Sequence, residues 1–377
     1  MTWPTWLRVS ARWLHRLRWI AIGWIVVFWR LGYPSLLDPD EAHYAELTRE
    51  MLRSGSWLVP LLDGRPYIDK PVFFHWLQGA SVWLLGETEF AARLPSALAA
   101  LAMFATVRWA GIELFGAEIG EWGAIMFATI PATFVLSSVA LFDMVFTAFL
   151  FGGIACLLVA AKLRRRRFEV TGYALLALAT MTKGPVALVL AGGLFAGAWL
   201  AGGELRARIA TLRWGFGLSA AALAASPWYL WMLAHYGRAF VEGYVLAGNV
   251  WYVTQPRVFS SRAIRHTFYI RAFAGAFFPW SAIVLGRGVD LLRRRSANVR
   301  IGVDEKLLWL WTIVVIGFFS LARFKLDHYI FPAAPACCLI AARAWHQTAD
   351  GDRGTVGTRA AVFIMAAALI VAGSFGC

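Results

Sequence analysis

The chain has 377 residues, of which 60% are hydrophobic and only 15% charged, with a mean hydropathy of +0.61. An ordinary soluble domain carries about 45–50% apolar and about 25% charged residues, so the composition excludes a string of soluble domains and excludes disorder. Twenty Trp and 27 Phe suit a bilayer-embedded chain, where aromatic rings collect at the interfaces, and the sequence reads as an integral membrane protein.

Lys and Arg number 36 against 22 Asp and Glu, a net charge of +14. A nucleic-acid binder gathers such an excess on one face. Here it lies in short runs between apolar stretches: Arg8, Arg12, Arg16 and Arg18; Lys162 with Arg164–Arg167; Arg206, Arg208 and Arg213; then Arg287, Arg293–Arg295 and Arg300. This is the pattern of basic loops kept on the cytoplasmic side, and no nucleic-acid partner is expected. Cys156, Cys337, Cys338 and Cys377 form no CxxC or metal-like spacing and read as small apolar side chains. The basic N-terminal stretch runs into an apolar segment without a small-residue cleavage site, so an uncleaved first span is expected.

A span needs about 20 mostly apolar residues. In chain order the candidates lie near 17–36, 72–86, 92–111, 119–138, 141–161, 172–182, 184–203, 214–234, 266–286, 307–323, 329–345 and 359–376. Two hydrophilic stretches, 38–71 and 235–265, are expected as the first and second outer loops. No internal repeat, low-complexity tract or soluble-domain boundary is visible, so 1–377 reads as one transmembrane domain. If the N-terminal arginines and the 162–167 run are both inside, one candidate between them cannot cross. The short segment 72–86, with His75 and Gln78, is the one to drop, and it is expected as a juxtamembrane or re-entrant helix on the outer side. The result is about eleven crossings with every Arg-rich loop inside. Asp143, Lys183, 235–265 and 325–329 then fall outside with the first loop.

The outer surface so defined collects Asp38, Asp40, Glu41, His43, Asp63, Arg65, Asp69, Lys70, Asp143, Lys183, Arg257, Lys325, Asp327 and His328. Ionisable groups at the ends of apolar spans are costly and usually functional; the plain alternative is solvated loop charge or snorkelling anchors. Asp40 follows the first span and opens an amphipathic pattern. It can serve as a helix cap, or as a carboxylate at the membrane boundary that accepts a proton from an acceptor hydroxyl. Lys70, Lys183 and Lys325 with His328 are expected at one depth, with no acidic cluster of matching size facing them. Lysine binds phosphate as a point charge, so a lipid phosphate suits the set. No HExxH, P-loop, GxGxxG or GxSxG pattern is present, and nucleotide, dinucleotide and serine-hydrolase chemistry have no sequence support.

The run DPDEAHYAELTREMLRSGSWLVPLLDGRPYIDKPVFFHWLQGA at 38–80, followed by ARLPSAL at 92–98, resembles the first outer loop of bacterial GT-C glycosyltransferases. The similar branch is that of aminoarabinose–lipid A transferase and protein O-mannosyltransferase. LFDMVFTAFLFGG at 141–153, MTKGP at 181–185, FFPWS at 277–281 and SLARFKLDHYIFPAAP at 320–335 continue the resemblance in order.

The resemblance implies an all-α GT-C transmembrane helix bundle with outer-face juxtamembrane helices in the bacterial inner membrane. It further implies inverting transfer of a sugar from a polyprenyl-phosphate donor to an envelope acceptor: lipid A, another glycolipid, a polysaccharide or a protein. Carried over position by position, Asp40 and Asp143 are the expected catalytic carboxylates, and Lys70, Lys183, Lys325 and His328 the donor-phosphate ligands. Glu41, His43, Tyr44, Tyr67 and Tyr329 are expected to contact substrate. Phosphate is a good leaving group, so no cofactor is demanded, with a divalent ion left open. His43 stands where the aminoarabinose branch usually has Arg, and no histidine can be carried over in 248–252. Longer relatives add further spans and a C-terminal outer domain, which this chain is expected to lack. The alternative reading is a transporter or flippase of lipid-linked sugars, which commonly carries repeats and midplane charges.

Overall fold

The computed structural model describes residues 39–254, 267–294, 301–349 and 356–374, together with Gly23, 27–29 and 31–37. Most of the first apolar segment, the N-terminal arginines, Asp38, Arg257, Arg295, Arg300 and Cys377 lie outside the described residues. The elements begin with α1 (Asp40–Ser54), a two-residue hairpin of β1 (Leu61–Leu62) and β2 (Arg65–Pro66), and α2 (Phe73–Leu85). The bundle continues with α3 (Glu89–Phe115), α4 (Ala117–Thr129), α5 (Pro131–Ser137), α6 (Phe142–Leu163), α7 (Arg166–Lys183), α8 (Val186–Ala201) and α9 (Gly203–Ile209). Next come α10 (Trp214–Phe240), a π-helical stretch over Val241–Val250 and α11 (Trp251–Thr254). Beyond them lie α12 (Phe268–Ala276), α13 (Trp280–Arg294), α14 (Val303–Leu321), a 3₁₀ segment over Asp327–Ala333, α15 (Ala334–Ala349) and α16 (Val356–Ser374).

Local chemistry explains the breaks that shape the bundle. α1 gathers Asp40 and Glu41 in its first turn and Arg53 in its last, signs that complement the helix dipole. It ends at Gly55 in the left-handed conformation that glycine adopts without steric cost. α3 is capped by the Thr88 hydroxyl, which accepts from the Ala91 amide. Pro131 starts α5 and bends it 67° from α4, as expected of a residue that tolerates only the first helical turn. Gly184, at φ +100°, separates α7 from α8, and a Cβ there would come within 2.5 Å of the Tyr244 hydroxyl.

α6 is the central element. Nearly every residue from Phe142 to Ala161 is buried, the mark of a helix that is apolar all round and enclosed by others; α3 and α7 are its main neighbours. Three described helices are long and apolar enough to cross a membrane: Glu89–Phe115, Phe142–Leu163 and Trp214–Val250. The bent α4–α5 pair makes a fourth if taken as one span. Other apolar segments are shorter or interrupted, as by Gly184 and Pro279. In the stretch expected as the second outer loop, 235–265, helix continues through 254, where Phe240 and Tyr244 turn inward onto Trp228 and hold the chain against the bundle, and 255–265 lie outside the described residues.

Described members of three of the basic runs meet at one end. Asp304 accepts from Arg208 at 2.7 Å and lies 3.5 Å from Lys162, while Lys306 pairs with Glu204. The buried Glu305 takes Arg287 and Arg343. This end is separated from Asp143 by the 22 residues of α6, about 33 Å at 1.5 Å per residue.

At the opposite end, Glu41 is only 2% exposed and is fully engaged. Its Oε1 accepts from Arg93 Nε at 2.7 Å and from the Ala140 amide at 2.8 Å; its Oε2 accepts from Arg93 Nη2 at 2.9 Å and the Leu37 amide at 2.8 Å. Arg93 spends its remaining donors on the carbonyls of Leu31, Pro34 and Ser35. Burial alone would push the Glu41 carboxyl up, but Arg93 and the two amides outweigh it and hold the group below its usual range. Removing one partner of a buried pair costs about 3–5 kcal/mol, whereas an exposed pair such as Arg108–Glu121 is worth about 0–1 kcal/mol. Arg93→Ala should therefore lower the thermal unfolding midpoint in detergent far more than Arg108→Ala; equal losses would contradict the clamp.

Candidate active site

Asp143 lies in the first turn of α6. Its Oδ1 accepts from Lys183 Nζ at 2.5 Å and its Oδ2 lies 3.7 Å from His328 Nε2. Lys183 is the last residue of α7, delivered here by the Gly184 break. Its ammonium also lies 4.9 Å from the Tyr329 ring centroid and 5.5 Å from that of Phe146, within cation–π range. Lys70 pairs with Asp69 at 2.9 Å and lies within Coulomb range of Asp143.

Tyr44 joins these groups to α1. Its ring stands edge-on to Phe142 at 4.7 Å and near His43 at 5.9 Å, and His43 in turn meets Tyr67 at 4.8 Å. Burial, then the nearby Tyr67, Asp69, Asp40 and Asp143, push the Tyr44 hydroxyl well above the ordinary phenol range, so it keeps its proton and can donate. Asp40 is exposed and has no hydrogen-bond partner among the described residues. The cap reading of Asp40 is not met, since it falls inside the first turn and Pro39 precedes the helix without a side-chain cap.

The structure thus brings together Asp40, Asp143, Lys70, Lys183, His328, His43, Tyr44, Tyr67 and Tyr329. Two expected members have partners of their own. Glu41 was expected to contact substrate; its oxygens are instead consumed by Arg93 and two amides in a buried pocket. Lys325 donates to the carbonyls of Ser320 and Ala322, a stabilising position for a cation at a helix C-terminus, and no ion pair joins it to Asp143 among the described residues. Against the expectation of no acidic cluster of matching size, Asp69 and Asp143 pair one to one with Lys70 and Lys183. Arg93 escaped the sequence reading altogether. Its signal was available: an arginine in an otherwise apolar segment needs a buried acid.

Below the site, Thr48, His75 and Gln78 form a buried polar knot: the Thr48 hydroxyl lies 2.8 Å from His75 Nδ1 and donates to the Gln78 amide oxygen, whose Nε2 donates to the Ala92 carbonyl at 3.0 Å. An apolar cavity of about 730 Å³ lies between 131–141 and 268–277, with His328, Arg271 and Asp327 in its lining. Among the described residues no group of three or more His, Cys, Asp or Glu is arranged to hold a metal ion.

The family description for dolichyl-phosphate-mannose-protein mannosyltransferases matches residues 69–231. The chain is 31% identical over 382 residues to undecaprenyl phosphate-alpha-4-amino-4-deoxy-L-arabinose arabinosyl transferase 1 of Sodalis glossinidius, covering 94% of this chain and 65% of the relative. It is 29% identical to the corresponding transferase of Erwinia tasmaniensis, covering 81% and 55%. Among solved structures, ArnT from Cupriavidus metallidurans bound to undecaprenyl phosphate matches with a TM-score of 0.75 at 24% identity, covering 91% of this chain and 63% of that one. The oligosaccharyltransferase AglB from Archaeoglobus fulgidus, in complex with an inhibitory peptide and a dolichol-phosphate, matches with a TM-score of 0.59 at 13% identity, covering 96% and 54%. The fold is shared, and the chain spans between about half and two thirds of these relatives' length.

The buried His75 yields a pH test. Burial first, and the neighbouring His43 second, lower its imidazole from 6.5 to about 3. The unfolded chain therefore takes up the proton before the folded one does. The stability held by neutral His75 is complete above pH 6.5 and is lost as pH falls towards 3. Thermal midpoints recorded from pH 7 to pH 4 should fall more steeply for the wild type than for His75→Gln; parallel curves would contradict the assignment.

Proposed function

Because the chain belongs to the PMT-like branch of the GT-C glycosyltransferases, we propose that it is an inverting transferase moving a sugar from a polyprenyl-phosphate donor to an envelope acceptor. In this reading the bundle crosses the bacterial inner membrane about eleven times, with the Asp143 end facing the periplasm and the basic end the cytoplasm. The observation that carries the reading is the meeting of an exposed carboxylate, Asp40, which has no hydrogen-bond partner among the described residues, with the Asp143–Lys183–His328 and Asp69–Lys70 groups at one end of the bundle.

The residues divide the work. Asp40 accepts the proton of the acceptor hydroxyl as its oxygen attacks the anomeric carbon. The carbon–oxygen bond to the donor phosphate breaks on the opposite face, and the lipid phosphate leaves with the bonding pair. Lys70 and Lys183 stabilise the charge that develops there, each already held in place by its aspartate. Asp143 orients Lys183 and His328 rather than meeting the acceptor. Tyr44, held protonated, donates between the two carboxylates, while His43, Tyr67 and Tyr329 wall the sugar. The apolar cavity beside His328 suits the isoprenoid chain and aligns the reacting atoms. No cofactor is assigned. The names of the relatives favour undecaprenyl phosphate carrying 4-amino-4-deoxy-L-arabinose as donor, and lipid A is the acceptor class to test first.

Removing a general base typically costs about 10²–10⁴-fold. Asp40→Asn should lose transfer to lipid A on that scale, read by mass spectrometry of the product in proteoliposomes supplied with the lipid-linked sugar. Its thermal midpoint should stay at the wild-type value. Full activity in this variant would overturn the assignment of Asp40.

A further inference from the structure

At the basic end of the bundle, about 33 Å from Asp143 along the 22 residues of α6, lies a second cavity of about 380 Å³. Four arginines line it, Arg164, Arg165, Arg166 and Arg213, against a single acid, Glu169. Glu169 is already spent: its Oε2 accepts from Arg166 Nη1 at 2.6 Å and its Oε1 from the Arg213 amide at 2.8 Å. The guanidinium groups of Arg164, Arg165 and Arg213 meet no acid among the described residues. The carboxylate in the lining is thus fully satisfied, and three further arginines share that lining with no acid of their own among the described residues.

The backbone favours the same arrangement. Arg164 ends α6 with φ 53°, a left-handed position where glycine is the usual occupant. α7 starts at Arg166 without a side-chain cap; the Phe168 amide turns back to the Arg165 carbonyl, and the amides of Arg166 and Arg167 are the ones an anion beside the arginines could use. Ordinary positive-inside retention requires cations only somewhere in the loop. It does not require them to converge from two loops, 164–166 and 213, on one walled cavity. Guanidinium forks match phosphate oxygens in pairs, and basic pockets between helices on the cytoplasmic side suit anionic headgroups.

We propose that this cavity is a phosphate-ester site of the kind an acidic phospholipid headgroup fills, separate from the transfer site on the other face. The test compares Arg164→Gln/Arg165→Gln/Arg213→Gln with a control of equal charge, Arg206→Gln/Arg293→Gln/Arg359→Gln. Both are measured by native mass spectrometry with phosphatidylglycerol in one arm and inorganic phosphate in the other. The cavity variant should retain about tenfold less phosphatidylglycerol than the control, as expected for loss of charge-assisted hydrogen bonds. A deficit in the lipid arm alone identifies a headgroup; a deficit in the phosphate arm as well identifies any phosphate anion. Equal retention by the two variants in both arms overturns the proposal. The unsubstituted protein gives a second reading should the cavity variant fold poorly. Phenylglyoxal labelling of Arg164, Arg165 and Arg213 should slow several-fold in phosphatidylglycerol vesicles relative to phosphatidylcholine vesicles, and more than labelling of Arg206 and Arg293. Uniform protection of all five contradicts it.

Discussion

The ion pair between Glu41 and Arg93 fixes the part of the molecule on which the chemistry depends. Glu41 follows Asp40 directly, and through the Ala140 amide it also grips the turn that delivers Asp143 three residues later. One carboxylate thereby ties α1, α3 and the start of α6 together and sets the spacing between the two candidate catalytic acids. Such a pair is a poor source of net stability, because taking two charges out of water is expensive. Its value lies in allowing few alternatives: four hydrogen bonds to Glu41 and three more from Arg93 to carbonyls define a single arrangement.

The electrostatics of the site follow the same economy. Lys70 and Lys183 would repel each other across an empty pocket, yet each rests on its own aspartate, and His328 faces the second oxygen of Asp143. The cations are held in place without ligand, which is the preorganisation that transition-state stabilisation requires. Tyr44 keeps its proton among three carboxylates for the same reason that it is useful there: a neutral donor is tolerated where another anion would not be. The basic end of the bundle stands a whole central helix away, so the two charged regions act independently beyond a Debye length of about 8–10 Å.

Much of this was legible in the residues. The parity argument puts Asp40, Lys70, Asp143 and Lys183 on one side, and these residues do gather at one end of the bundle; the Gly184-Pro185 break is readable from residue type. What sequence could not give was pairing. Nothing in the pattern around Glu41 separates a substrate ligand from a buried strut until Arg93 is seen opposite it. Lys325 reads as one more phosphate-level lysine until its amine is found on the carbonyls closing α14. The stretch 235–265 looks polar because Trp, Tyr and Arg lower its hydropathy, but the rings of Phe240 and Tyr244 pack inward and keep 241–250 helical. Span counting suffered from the same limit, since several apolar runs are folded as short or broken helices whose lengths hydropathy cannot fix.

The claim at the centre is that Lys70 and Lys183, not merely any lysines at that depth, hold the lipid phosphate. Equilibrium binding of undecaprenyl phosphate to Lys70→Met, Lys183→Met and Lys325→Met tests it without requiring turnover. The first two should each weaken binding by about tenfold or more, the scale of a lost charge-assisted contact, while Lys325→Met should bind close to the wild type. Unchanged affinity in the first two, or the largest loss in Lys325→Met, would contradict the account.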